Sequence, residues 1–139
     1  MKQSFDELVL STKGRGLYDI TPLIIDWINN QEIQDGLLTM LIQHTSASLL
    51  INENWDSDVQ RDLESFFSRL VKDGDSLFTH TIEGDDDMPA HIRTALTQTN
   101  LSIPVNNGKM LLGQWQGVYI FEHRYNKFNR KVKMHLIGE

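Results

Sequence analysis

The segment from Gly36 to Ile42 constrains the fold of this chain more than any other. Its residues Leu37-Leu38-Thr39-Met40-Leu41-Ile42 are almost all apolar, at odd and even positions alike. A strand with apolar side chains on both faces is typical of a sheet interior. The segment therefore predicts a buried central strand, which leads directly into a polar stretch that contains His44.

Helical and extended patterns alternate irregularly on either side of this strand. The clearest helix extends from Ser57 to about Lys72, because apolar residues recur there every three or four positions. Shorter helices are predicted from Thr21-Pro22 to Asn29-Asn30 and from Pro89 to about Gln98. Further strands are predicted at Phe5 to Thr12, Gly16 to Ile20, Ser48 to Asn52, Leu77 to Ile82, Leu101 to Val105 and Lys109 to Leu112.

The C-terminal part contains two more extended segments. Val118 to Arg124 and Arg130 to Ile137 flank a polar turn at Asn126 to Asn129, and we expect them to form a hairpin. The whole pattern predicts a single domain, residues 1–139, with an α+β fold. We expect a β-sandwich of about eight or nine strands with about three helices.

Composition excludes several classes of protein. A formal net charge of −6 disfavours general binding to nucleic acid or to anionic membranes, which both need a cationic surface. The absence of cysteine excludes disulfides, thiolate zinc sites and a cysteine nucleophile. No apolar run approaches the roughly 20 residues of a membrane helix, and the N-terminal residues lack the apolar core of a signal peptide. We therefore expect a cytoplasmic protein without nucleic-acid or membrane partners.

The first candidate site segment follows the central strand. A histidine at a strand end, His44, followed by the hydroxyls of Thr45 and Ser46, can ligate a metal or bind an anion. It can equally cap the turn through ring hydrogen bonds. Asn52 and Glu53 follow shortly after and can form either a shelf of polar ligands or a helix-capping loop.

The second candidate segment extends from Gly84 to His91. Its three consecutive aspartates, residues 85–87, repel one another unless a helix N-terminus or a cation compensates. His91 lies four residues after Asp87, so in a helix the two side chains share one face, where a carboxylate can orient the ring or share a metal with it. A solvated acidic helix cap fits the same pattern equally well.

Three histidines are therefore candidates for one centre. His44, His80 and His91 can form a three-histidine site, or two of them can combine with a carboxylate. Both groupings are usual where a metal keeps one coordination position open for water or substrate.

Two C-terminal motifs add polar groups. Gln114 lies in Gly113-Gln114-Trp115-Gln116-Gly117, which can hold a polar ligand or form a bulged turn with Trp115 in the core. Arg124 shares a strand face with Glu122, and it can clamp a phosphate or form a surface ion pair with that acid. Phosphate-loop, dinucleotide-binding and nucleophile-elbow patterns are absent.

Six motifs follow one another in order along nearly the whole chain. They are His44-Thr45-Ser46-Ala47-Ser48-Leu49, Asn52-Glu53, Gly84-x-Asp86-Asp87-Met88-Pro89-Ala90-His91-Ile92, Gly113-Gln114-Trp115-Gln116-Gly117, Glu122-His123-Arg124 and Gly138. This set resembles the YjbQ-like family, whose members are often catalogued as secondary thiamine-phosphate synthases. The two long motifs are specific.

The resemblance implies a compact α+β fold with a β-sandwich and a homotrimer. It also implies a pocket lined by acids and histidines that holds a divalent metal, with zinc favoured and magnesium or manganese as alternatives. Carried over to this chain, the metal ligands are His44, His80 and His91 and the catalytic acids are Asp86, Asp87 and Glu53. The substrate-binding candidates are Thr45, Ser46, Asn52, Gln114 and Arg124.

For function, the resemblance implies a weak thiamine-phosphate synthase activity. This reaction joins hydroxymethylpyrimidine pyrophosphate to a thiazole phosphate and releases pyrophosphate. Two other functions compete with it. One is metal-dependent hydrolysis of a phosphorylated or anionic metabolite, and the other is a non-catalytic metal-binding or small-molecule-binding module.

Overall fold

Two antiparallel sheets enclose the core in the computed structural model, which describes residues 1–139. The chain forms eight strands and three helices, which confirms the expected α+β class. In order they are β1 (Lys2–Lys13), β2 (Gly16–Asp19), α1 (Thr21–Asn29), β3 (Gly36–Ile42), β4 (Ala47–Glu53), α2 (Ser57–Leu70), α3 (Asp87–Leu96), β5 (Asn100–Asn106), β6 (Lys109–Met110), β7 (Gln116–Glu122) and β8 (Lys127–Gly138).

The larger sheet has the strand order β1-β8-β3-β5-β6, and the smaller one has the order β2-β7-β4. Apolar side chains from the inner faces of both sheets pack together with Ile20, Ile24 and Ile28 at helix α1. This arrangement is a sandwich in which each sheet contributes one face to a common core.

The central strand of the larger sheet is β3, as the sequence predicts, but only one of its faces is buried. Leu38, Met40 and Ile42 lie in the core, whereas Leu37 and Leu41 are exposed because no helix covers the outer face of this sheet. The strand buried on both faces is β7 instead. Its outer face packs beneath α2, where the Phe67 and Phe121 rings meet edge to face.

The expected C-terminal hairpin does not form. Strands β7 and β8 follow each other in the chain but belong to different sheets. Strand β8 instead pairs with β1 over its full length and with β3 on its other side. The polar turn between them is therefore a crossing from one sheet to the other.

The segment from Leu77 to Ile82, predicted as a strand, is part of an irregular loop between α2 and α3. Leu77 and Ile82 are almost fully exposed, so this segment has no sheet face to bury. Helix α2 extends over nearly the predicted range, and Asp56 caps it by accepting a hydrogen bond from the Asp58 backbone N–H. None of the helices combines the length and apolar character needed to cross a lipid bilayer.

Candidate metal centre

Four potential ligands converge where the long loop before α3 meets the first turn of that helix. His80 and Glu83 come from the loop, and Asp87 and His91 come from the helix, one turn apart. One potential ligand atom from each side chain lies within 4.8 Å of the others. We call these four residues the Asp87 centre.

Asp87 is the middle of this centre and is only 1% exposed. Its Oδ2 lies 2.6 Å from Nε2 of His80 and 3.2 Å from Nε2 of His91. Burial alone raises the pKa of Asp87, but the His80 hydrogen bond and the Arg124 charge together bring that pKa below its usual value. The carboxylate is therefore anionic and faces two imidazole nitrogens at once.

The second oxygen of Asp87 is held by Arg124. Nη1 of Arg124 donates to Asp87 Oδ1 at 2.6 Å, Nε donates to Asp86 Oδ2 at 3.0 Å, and Nη2 donates to the Glu83 carbonyl at 2.8 Å. Each nitrogen of the guanidinium group thus has a protein acceptor. In this arrangement Arg124 holds the acids of the centre and offers no free fork to a phosphate.

Asp86 has a supporting position beside the centre. Its Oδ2 also accepts from the Tyr125 backbone N–H at 2.9 Å. Burial raises the pKa of Asp86, yet the hydrogen bonds from Tyr125 and Arg124 outweigh it and lower the pKa overall. Asp86 therefore fixes the chain after β7 against the start of α3.

One hydrogen bond of His91 orients its ring and locates the proton on Nδ1. Nδ1 of His91 lies 2.9 Å from the Thr45 carbonyl oxygen, which can only accept, so Nδ1 carries a proton. Nε2 faces Oδ2 of Asp87 at 3.2 Å, which is the position from which it could share a cation with that carboxylate. An imidazole whose far nitrogen donates to a backbone carbonyl is the usual arrangement of a metal-bound histidine.

His44, a predicted ligand, lies near this centre but outside it. Its Nε2 accepts a hydrogen bond from the Lys131 backbone N–H at 2.8 Å, so its proton is on Nδ1. Burial, followed by the charge of Arg130, lowers the pKa of His44. Within a single chain, therefore, neither ring nitrogen of His44 offers a lone pair to a metal at the Asp87 centre.

The predicted substrate-binding residues near His44 also form hydrogen bonds within the protein. Ser46 is buried, and its hydroxyl accepts from Nη2 of Arg130 at 3.0 Å. Thr45 is exposed and contributes its backbone carbonyl to His91. Of the two, only Thr45 touches the Asp87 centre.

Three other predicted site residues lie at the opposite end of the smaller sheet. Strand β4 begins at Ala47, opposite Glu122, and ends at Glu53, opposite Gln116. At about 3.3 Å per residue this separates its two ends by roughly 20 Å. Asn52 and Glu53 hydrogen-bond to nearby backbone N–H groups at this end, and Gln114 lies on the adjoining loop.

Glu122 pairs with a different arginine from the one the sequence indicates. Its carboxylate is fully buried and accepts hydrogen bonds from Nε of Arg130 at 2.8 Å and from Nη2 at 2.5 Å. It also accepts a hydrogen bond from the Thr12 hydroxyl. The ion pair with Arg124, one of the two alternatives for that residue, is therefore absent. Trp115, which the bulged-turn alternative places in the core, is half exposed and contacts Trp55 edge to face.

Glu83 is the member of the centre that we did not predict as a site residue. Its Oε2 lies 3.9 Å from Nε2 of His80. The available signal was the spacing of three residues between His80 and an acid in a polar loop, which is weak by itself.

Comparison with known proteins gives one consistent family. The family model described as "UPF0047 protein YjbQ-like" matches residues 6–139. A UPF0047 protein of Synechocystis is 44% identical over 138 residues, covering 99% of this chain and 94% of that protein. The UPF0047 protein YjbQ of Escherichia coli O157:H7 is 42% identical over 133 residues, covering 95% and 96%.

Solved structures agree with the fold. The crystal structure of an uncharacterized protein of the YjbQ/UPF0047 family from Clostridium acetobutylicum matches with a TM-score of 0.85 at 32% identity, covering 95% of this chain and 99% of that one. A YbjQ-like protein of unknown function from Sulfolobus solfataricus matches with a TM-score of 0.89 at 22% identity, covering 99% of both chains. The second likeness concerns the fold alone.

Proposed function

This chain belongs to the UPF0047 protein YjbQ-like family, and from that premise we propose that its Asp87 centre binds a divalent metal and acts on a small phosphorylated substrate. One observation carries the proposal. His91 donates from Nδ1 to a backbone carbonyl, and its Nε2 is directed at a carboxylate oxygen that His80 also faces. A divalent cation satisfies all three groups together.

Zinc is the metal that the donor set favours. Two imidazole nitrogens and one carboxylate oxygen form a usual set of protein ligands at catalytic zinc sites, with one position left for water or substrate. Zinc–ligand bonds are about 2.0–2.2 Å, so neighbouring donors lie about 3.3–3.6 Å apart in a tetrahedral site. The donors of the Asp87 centre lie within 4.8 Å of one another, and His80 Nε2 and Asp87 Oδ2, 2.6 Å apart, would have to separate to admit the ion. Magnesium and manganese remain alternatives because Glu83 and Asp87 offer oxygen.

The first candidate reaction is the transfer that joins hydroxymethylpyrimidine pyrophosphate to a thiazole phosphate and releases pyrophosphate. A metal held by His80, Asp87 and His91 would supply stabilisation of the negative charge on the departing pyrophosphate. The chain's own residues hold this arrangement: Arg124 keeps Asp86 and Asp87 anionic and in place, and the Thr45 carbonyl fixes the His91 ring. Because all three guanidinium nitrogens of Arg124 already donate to protein acceptors, we assign Arg124 a positioning role.

The second candidate is hydrolysis of a phosphorylated or otherwise anionic metabolite. Glu83 supports it, because its side chain is 62% exposed and lies beside His80. A solvent-exposed carboxylate at the edge of a metal site is suited to accept a proton from an attacking water. Glu83→Gln separates the two reactions, since it removes a base that hydrolysis needs and the transfer does not.

The metal is tested first, by elemental analysis of protein purified without an affinity tag. We expect about one zinc per chain in the wild type and a large loss in His80→Ala and in His91→Ala. Asp58→Ala is the matched control, because Asp58 is an exposed potential ligand at the start of α2 and pairs only with Arg61. Equal metal content in all four proteins would contradict the proposal.

Activity is tested next with the metal-loaded protein. One assay supplies both thiamine precursors, and the other is a phosphatase and esterase panel with zinc, manganese or magnesium. We expect turnover that His91→Ala abolishes in one of the two. Metal binding without turnover in either would identify a non-catalytic metal-binding module instead.

We also propose a homotrimer. The uncovered outer face of the larger sheet supports self-association, because Phe5, Val9, Leu37 and Leu41 are all exposed there. Light scattering during size-exclusion chromatography should give a particle mass three times the chain mass of 16.1 kDa. A mass of one chain at micromolar concentration would contradict it.

A further inference from the structure

A cavity of about 370 Å³ lies between helix α1 and strand β6, apart from the Asp87 centre. Its walls are apolar and come from Ile25 and Ile28 on the helix and from Met110 and Leu112 on the facing strand and its continuation. Nearby Gln116 begins β7, whereas Arg124 of the Asp87 centre follows the end of that strand. The two sites are thus at opposite ends of the smaller sheet.

The local structure keeps this cavity open. Thr21, Ile25 and Ile28 follow one another at helical spacing, so a single face of α1 forms one wall. On the other side, Oε1 of Gln116 accepts from the Gly113 backbone N–H at 2.7 Å and holds the loop before β7 in a tight bend. The loop that continues the wall opposite the helix is therefore held by a bond between a side chain and the backbone.

The polar groups around the cavity that have no protein partner are donors or amides. Lys109 is exposed and makes no ion pair, and the Asn29 amide is unpaired. The Gln116 oxygen is occupied by Gly113, which leaves its Nε2 to donate. The hydroxyl of Thr21 is used by the Val118 backbone. No aspartate or glutamate lines the cavity, although the chain carries a net charge of −6.

We propose that this cavity binds a small amphipathic carboxylate, with its apolar body between α1 and β6 and its anionic group at Lys109. An apolar interior with a few convergent donors is the usual composition of a small-molecule site, and the volume is at the small end of the range for such sites. A carboxylate satisfies the lone ammonium and the amide donors, whereas a cationic head group meets only repulsion from Lys109.

Three probes of equal chain length test this proposal: octanoate, octanol and octylamine. Titrations are followed in methyl NMR spectra, in which the side chains of Ile25, Ile28, Met110 and Leu112 report on the cavity. Octanoate should give saturable shifts confined to these methyl groups, octanol should bind more weakly, and octylamine should bind most weakly.

Lys109→Met should weaken octanoate binding by about tenfold or more, as expected for the loss of one charge-assisted contact. Lys127→Met, at an exposed lysine at the start of β8, is the matched control and should bind as the wild type does. The proposal is overturned if octanoate gives no saturable shifts at millimolar concentration, if octylamine binds equally well, or if Lys109→Met has no effect.

Discussion

Arg124 donates from Nη1 to Oδ1 of Asp87 at 2.6 Å and so turns the other oxygen of that carboxylate toward two histidines. Both residues are almost fully buried, and each neutralises the charge of the other. The pair therefore does two things at once. It stabilises an anionic aspartate at the start of α3, and it fixes which oxygen of that aspartate faces His80 and His91.

The first prediction concerns this orienting contact. Arg124→Gln should lower zinc affinity by about 10–100-fold, because residues that orient metal ligands typically contribute that much. A competition titration against a zinc chelator measures it, with thermal unfolding as a check that the variant folds. Arg61→Gln is the matched control, since Arg61 is exposed and pairs only with Asp58. Unchanged zinc affinity in Arg124→Gln would show that Asp87 needs no such support.

A second prediction separates His44 from the other two histidines. His44→Ala should retain the zinc content of the wild type, because its Nε2 is occupied by the Lys131 backbone N–H. His91→Ala should lose the metal. Elemental analysis of both variants decides the question, and zinc loss in His44→Ala would show that this side chain reaches a metal in the assembled protein.

Sequence periodicity identified most elements of the fold but not their partners. The stripe of apolar residues predicted α2, and the almost unbroken apolar run predicted β3, since both patterns are local. The pairing of β8 with β1 and β3, rather than with β7, depends on contacts between residues far apart in the chain. The alternating pattern of an extended segment does not show which sheet the strand joins. The predicted hairpin between β7 and β8 was therefore wrong.

The candidate centre was predictable only in part for a similar reason. Asp87 and His91 lie one helical turn apart, and that spacing is visible in the sequence. His80 and Glu83 lie in an irregular loop whose path is set by distant contacts, such as the ion pair between Arg15 and Asp73 at 2.6 Å. Local turns, such as the one in which the Asp75 carboxylate accepts from the Leu77 backbone N–H, shape parts of the loop but do not bring it to α3.

A third prediction concerns the buried ion pair that joins α2 to α3. Arg93 is fully buried, and Nη1 donates to Oε1 of Glu64 at 2.9 Å, whereas Glu64 is 30% exposed. Glu64→Ala should lower the free energy of unfolding by about 3 kcal/mol, because it leaves a buried charge unpaired. Arg93→Met should cost clearly less, because Glu64 can turn to water. Urea unfolding of both variants measures the two losses of unfolding free energy, and equal losses would contradict the prediction.

A fourth prediction follows from the pKa of His123. Burial, followed by the charges of Arg93, Arg15 and Arg130, lowers this pKa to about 3. In the unfolded chain the value is about 6.5, so lowering the pH below 6.5 protonates only the unfolded state and reduces stability. At pH 5 the loss is about 2 kcal/mol.

Urea unfolding at pH 7, 6 and 5 tests this titration against His123→Gln, which cannot titrate but can still bond Ser48. Between pH 7 and pH 5 the wild type should lose about 2 kcal/mol more unfolding free energy than the variant loses. A difference that stays constant would mean that His123 titrates normally in the folded protein.

A fifth prediction concerns the two glycines that pair where β3 begins and β8 ends. A Cβ on Gly36 would lie 2.1 Å from the Ile137 carbonyl oxygen, and a Cβ on Gly138 would lie 1.9 Å from that of Asp35. Since both obstacles are backbone atoms within paired strands, Gly36→Ala and Gly138→Ala should each lower the free energy of unfolding by at least about 2 kcal/mol. Gly113→Ala, which meets only the movable Gln116 side chain at 3.3 Å, should change it by less than about 0.5 kcal/mol. Urea unfolding of the three variants checks the order, and a tolerated alanine at Gly138 would mean that the strand end can separate from β3 without cost.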